Sequence, residues 1–196
     1  FIYWKWATGD WIFNSYIGER FYFDRPRILN FLFSYRKGWL VYSPIFVLSF
    51  LGIYKMYKNK NEWGLPIMIT MIATIYLFSS WWCWWFGGGF GMRPMIDYYP
   101  LLIIPIGELL NQKLKILKYG ILTFIIVSIS FNLLQTLQRR NLVIHWDSMS
   151  KNSYWAFFTT IKMESRKDWD RQESLLIKPN YDKARKGENE YDFEIL

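Results

Sequence analysis

The stretch Trp81-Trp82-Cys83-Trp84-Trp85-Phe86-Gly87-Gly88-Gly89-Phe90-Gly91-Met92-Arg93-Pro94-Met95-Ile96-Asp97-Tyr98-Tyr99-Pro100 decides the fold class. It closes a run, residues 63–92, that holds no charged side chain. Roughly 20 apolar residues suffice to cross a hydrocarbon core about 30 Å thick. Four tryptophans in five positions sit where this run meets polar sequence. A membrane interface concentrates indoles there, because the ring is apolar in body and polar at its N–H. Continued as a helix, Trp81, Trp84 and Trp85 fall on one face with Trp82 beside them. The glycines that follow let another group approach the main chain closely. Arg93 and Asp97 then place one charge of each sign in the loop. The cluster Trp81, Trp82, Trp84 and Trp85 reads either as an aromatic belt or as a stacking surface for a sugar ring or a lipid isoprene. Arg93 and Asp97 read either as a loop-fixing ion pair or as a phosphate ligand with a carboxylate that orients it. Arginine suits phosphate because its planar fork offers paired donors.

Outward from this stretch the apolar residues stay blocked together. Hydrophobic residues make up 52% of the 196, yet they do not follow the periodicity of a soluble amphipathic helix or strand. The pattern predicts an all-α integral membrane protein with about four transmembrane helices, at about 39–57, 65–85, 98–110 and 119–137. Pro44 falls within the first two turns of the first span, where a missing N–H is tolerated. The third carries Pro100 and Pro105 and is expected to kink, with Glu108 facing protein or headgroups. Residues 1–38 read as an interfacial loop with short helices, one starting after Pro26 with Asp24 as a cap. Residues 139–196 read as a mostly polar tail. Within it, Trp155-Ala156-Phe157-Phe158 suits a short amphipathic surface helix, and the end from Lys178 to Glu194 reads as extended or weakly ordered.

The formal charge of +8 does not point to nucleic acid, because its location fits a membrane better. Lys55, Lys58 and Lys60 crowd one short loop, and Lys113, Lys115 and Lys118 the next. Basic excess in short loops between spans marks the cytoplasmic side. Loops 55–62 and 111–118 are therefore expected inside. Residues 1–38, the glycine loop and the tail are expected on the extracytoplasmic face of a bacterial inner membrane. Arg139-Arg140 break that rule and can contact anionic lipid. One cysteine and one histidine exclude a disulfide within the chain and make a His- or Cys-based metal centre unexpected, so no metal ligand is assigned.

Among polar candidates, Arg36 and Lys37 precede the first span and suit either headgroups or a lipid-phosphate donor. Asp10, Glu19 and Asp24 have the chemistry of a general base but read first as solvated loop charges. His145-Trp146-Asp147 reads as a local structural hydrogen bond or as a proton relay. No phosphate-binding loop, dinucleotide motif or nucleophile elbow is present.

Two stretches resemble a known family. Leu32-Phe33-Ser34-x-Arg36-Lys37-Gly38-x-x-x-Tyr42-Ser43-Pro44 and Trp81-Trp82-x-Trp84-Trp85-x-Gly87-Gly88-x-Phe90-Gly91-x-Arg93-x-x-x-Asp97-x-x-Pro100 resemble bacterial polytopic glycosyltransferases of the GT-C type. These are similar to the protein O-mannosyltransferase and aminoarabinose transferase group. The resemblance implies a membrane enzyme that uses a polyprenyl-phosphate sugar donor at the extracytoplasmic face. It also implies that this chain is the C-terminal part of such an enzyme, partnered by further spans and by membrane lipids. The family's catalytic acid lies in an early extracytoplasmic loop, and no residue here matches it, so the catalytic residue is unassigned. Competing readings are a non-enzymatic subunit that packs against larger membrane partners and, more weakly, half of a transporter.

Overall fold

Each apolar run folds into helix, and prolines, serines and tertiary hydrogen bonds decide where it stops. The computed structural model describes residues 1–12, 16, 18–111 and 113–189. The α-helices are α1 (Ile2–Thr8), α2 (Ile28–Phe33), α3 (Trp39–Tyr42), α4 (Val47–Lys58), α5 (Gly64–Ser79), α6 (Tyr99–Leu110), α7 (Lys115–Arg140), α8 (Lys151–Ala156), α9 (Arg166–Leu175) and α10 (Tyr181–Arg185). Short 3-10 turns, Pro44–Phe46 and Arg93–Tyr98, lead into α4 and α6. Among the described residues no strand forms; Phe21 and Trp81 make an isolated antiparallel bridge.

Two of the expected spans are corrected. The first is broken at Ser43, because Pro44 has no N–H to continue the helix from Trp39, and the chain restarts as a 3-10 turn. The second stops at Ser79, well short of the tryptophans. Residues upstream take its last carbonyls: the Tyr22 N–H donates to Ser80 O at 2.6 Å and the Arg27 N–H to Ser79 O at 2.8 Å. The Ser79 and Ser80 hydroxyls turn back onto Tyr76 O. Trp81–Trp85 therefore lie in a turn, and their indoles do not share a helix face. Among the described residues only α7, at 26 residues, is a single helix long and apolar enough to cross a membrane. Among the described residues the other helices at the expected spans are shorter: α5 has 16 residues, and α4 and α6 have 12 each.

The helices α4 and α6 run parallel in a constant register. The Ser49 hydroxyl donates to Leu102 O at 2.7 Å, and the Lys55 ammonium to Glu108 O at 2.6 Å, each pair 53 residues apart. Between them Gly52 lies so close to Pro105 that a Cβ would meet the Pro105 carbonyl oxygen at 2.1 Å. Small residues on one face allow this approach, which brings main chain against main chain without a side-chain layer. Lys55 also reaches Asn111 O and pairs with the Glu108 carboxylate at 3.5 Å, so it satisfies carbonyls left open at the C-terminus of α6. Glu108 thus faces protein, as its position suggested.

The tail is ordered over residues 141–189, termed the cap below. Val143, Ile144, Met149, Tyr154, Phe157 and Met163 are buried in it. The expected helix at Trp155 forms as α8, but Ser153 and Tyr154 are packed inside. The segment after Lys178 contains α10, held by its Asn180 cap, which accepts from Asp182 and Lys183 N–H. That corrects the expectation of weak order there; residues 190–194 fall outside the described part. The helix after Pro26 forms as α2, but Asp24 does not cap it and pairs with Arg25 instead.

Candidate functional site

The turn Trp81–Phe86 and the end of α5 form one wall of an open groove of about 540 Å³. Phe21, Phe78, Trp81, Trp82 and Phe86 supply its apolar surface, and Glu19 and Arg93 its charges. Of the four tryptophans only Trp81 is substantially open to the groove. Trp82 is 8% exposed, and Trp84 and Trp85 are 1% exposed and pack edge to face in the core at 5.7 Å. Burial of the last two removes them as a stacking surface. Arg93 stands exposed where the 3-10 turn begins. Among the described residues it makes no ion pair with Asp97 or any other carboxylate, and Asp97 is exposed and likewise unpaired. The loop-fixing ion pair, one of the two readings of these residues, does not form.

The glycine loop beside the groove is held by basic and aromatic side chains. The Lys37 ammonium donates to Gly89 O, and the Arg139 Nε–H reaches the same oxygen at 3.4 Å. Gly91 has φ +55°, and its main chain rests against Tyr42. A Cβ on Gly88 would sit 3.1 Å from the Trp146 ring, so the indole lies directly on the loop. Lys37 is buried. Burial pushes its pKa down to about 7, and the fields of Arg139, Arg36 and Arg93 add to that against the opposing pull of Asp147. Lys37, Arg93 and Arg139 all lack a carboxylate within ion-pair distance among the described residues. The guanidinium groups of Arg93 and Arg139 beside an apolar groove have the chemistry to receive an anionic group that carries an apolar chain.

Arg36 is placed differently. Its side chain is fully buried over the Trp85 ring at 5.6 Å, donates to Ile177 O at 2.7 Å and to Asp147 O, and pairs with the Asp147 carboxylate at 3.5 Å. Asp147 also accepts from the Ser148 hydroxyl at 2.9 Å and from Tyr181 OH. Burial and that hydrogen bond push the Tyr181 phenol up to about 12. Arg36 thereby ties the cap to the segment before α3 and does not face the groove. His145 is local structure: its Nδ1 accepts the Ser148 N–H at 2.9 Å and the Asp147 N–H at 3.3 Å, so no relay to the Asp147 carboxylate is made through that nitrogen. Asp10 is exposed and Asp24 is bound to Arg25; Glu19 alone of the three acids lines the groove. The role of Arg139 beside Lys37, and the Arg36–Asp147–Tyr181 cluster, were not legible from local sequence, because both join residues far apart in the chain. Among the described residues no group of three or more His, Cys, Asp or Glu is placed to hold a metal ion.

Comparison with known proteins finds no match to any family profile, curated protein or solved structure.

Proposed function

We propose that this chain binds a polyprenyl phosphate or its sugar-linked form, as part of a GT-C-like membrane glycosyltransferase at the extracytoplasmic face of a bacterial inner membrane. The observation that carries the reading is the apolar groove lined by Arg93, a cation with no carboxylate in ion-pair distance among the described residues, with Arg139 at the adjoining glycine loop. An isoprenoid chain suits Phe21, Phe78, Trp81 and Phe86, and its phosphate suits the guanidinium of Arg93. The exposed apolar faces of the helices support a bilayer setting: Leu51, Ile69, Ile72, Ile103, Ile126, Val127 and Leu133 are all more than half exposed, as water-soluble surfaces rarely allow over a continuous area. In this reading α4–α6 pack with α7 as the membrane-spanning body, loops 55–62 and 111–118 face the cytoplasm, and membrane lipids are the first partners.

A second reading, a subunit that packs on a larger membrane partner, is favoured by α1. It buries no residue and leaves Phe1, Ile2, Tyr3 and Trp6 at least 70% exposed. Such a face needs either lipid or a neighbouring membrane segment.

The test is polyprenyl-phosphate binding by the full chain in nanodiscs. Arg93→Ala is expected to weaken it by about ten- to a hundred-fold, the worth of one charge-assisted contact made partly out of water. Arg93→Lys is expected to recover part of the loss. Unchanged affinity in Arg93→Ala, at an unchanged melting temperature, would falsify the assignment of this residue.

A further inference from the structure

The cap carries a second groove, about 400 Å³ in volume, between segment 142–146 and α9. That volume falls within the range of small-ligand sites, roughly 300–1,000 Å³. Trp146 and Trp169 stand in it 45% and 41% exposed, and His145, Asp170 and Glu173 complete its wall. The groove is firmly constructed. Ser165 and Asp168 form a capping box that starts α9. The buried Gln172 amide donates to Val143 O at 2.6 Å and Leu142 O at 3.4 Å, locking the helix to the opposite wall. Trp146 is seated on Gly88. On α9 Trp169 and Glu173 lie one turn apart with Asp170 beside them, so they present together.

The charges narrow the ligand. Glu173 is held by Lys178 at 2.9 Å. Burial keeps the His145 pKa below its ordinary value, so the imidazole is neutral at pH 7. Its Nδ1 accepts main-chain N–H, which puts its proton on Nε2 as a donor. Asp170 is the acceptor without an ion-pair partner among the described residues. Two part-exposed indoles, one donor and one strong acceptor match a molecule with an apolar ring face and hydroxyls at its edge. They match an organic cation less well, because one carboxylate is already neutralised and an N–H donor faces the site.

We propose that this groove binds a saccharide. A ring face stacks on the indoles, one hydroxyl donates to Asp170, and another accepts from His145. The inference stands apart from the polyprenyl-phosphate reading, and its test needs no polyprenyl phosphate.

The full chain is placed in nanodiscs of zwitterionic lipid and applied to an array of neutral, acidic and amino-bearing oligosaccharides. Empty nanodiscs give the background, and tetramethylammonium binding is read in parallel by calorimetry. Retention of neutral oligosaccharides is expected, reduced about tenfold in Trp169→Ala and reduced also in Asp170→Asn. If Trp169→Ala disturbs the cap, the isosteric change at exposed Asp170 carries the test. Absence of any neutral oligosaccharide above background overturns the proposal. So does retention that Asp170→Asn leaves unmoved, or tetramethylammonium binding tighter than that of every sugar.

Discussion

In the helical body, α4 and α6 meet over Ser49, Gly52 and the Pro105 carbonyl, while Leu51, Ile69, Ile103 and Val127 face outward. In the cap the arrangement is reversed. Lys151, Lys162, Arg166 and Lys167 are outside, and Asp147, Ser148, Ser150, Ser153 and Gln172 are buried with Arg36. A body with apolar flanks suits hydrocarbon, where close backbone packing and satisfied carbonyls hold helices together. A cap with charged flanks suits water, and there the interior is fixed by side-chain hydrogen bonds. The glycine loop and the apolar groove lie where the two regions meet, touched by Tyr42 from one and by Trp146 from the other. The proposed ligand, an amphiphile with an anionic head, would lie at this boundary.

The largest difference between body and cap is expected at Asp147. Asp147→Ala leaves Arg36 buried without its carboxylate, and loss of one partner of a buried pair costs about 3–5 kcal/mol. The cap is expected to become sensitive to protease at a protein-to-protease ratio where the wild type resists, while α4–α6 stay protected. Asp147→Asn, which keeps an acceptor for Ser148 and Tyr181, should fall between. Simultaneous loss of protection in body and cap would show that the two regions are one cooperative unit.

The body has its own weak point. Gly52→Val forces α4 away from α6, because its Cβ has no room against Pro105, and such overpacking costs about 1–3 kcal/mol. The melting temperature in detergent should fall, with cap protection retained. An unchanged melting temperature would mean that the close parallel seam does not hold the body together.

These two sites also show what the sequence made legible. The apolar runs announced a helix at each of α4, α5, α6 and α7, but only α6 nearly at its bounds: the expected spans 39–57 and 65–85 overran α4 at its start and α5 at its end. Pro44 was expected to be tolerated inside one continuous span, yet the helix breaks there before α4; Glu108 was expected to meet protein or headgroups, and it meets Lys55. The end of α5 was not legible. Composition alone carries the helix on through Trp85, whereas hydrogen bonds from residues 20–27 stop it at Ser79. The Arg36–Asp147 pair joins positions 111 apart, so nothing in the local pattern around either residue distinguishes a buried latch from a headgroup anchor. At the groove, Arg93 and the tryptophans were singled out by composition, but which indoles face outward was decided by that same early helix end.

A smaller effect sharpens the boundary between the regions. Lys37 holds its proton in the unfolded chain up to about 10.5 and releases it in the folded chain at about 7. Between those values the unfolded state binds more protons, so stability rises with pH. From pH 7 to 8 the gain is about 1 kcal/mol. Denaturant melts at the two pH values should show that rise in the wild type and a flatter profile in Lys37→Met. An equal rise in both would mean that Lys37 keeps its proton at pH 8 in the folded chain.

The proposed function requires that the boundary select a phosphate carried on an isoprenoid chain over the same chain without it. Native mass spectrometry of the full chain released from nanodiscs doped equally with polyprenol and polyprenyl phosphate tests it most directly. The phosphate is expected to be retained on the protein well above the alcohol, with the difference reduced in Arg93→Ala. Equal retention of alcohol and phosphate, or retention of neither, would contradict it.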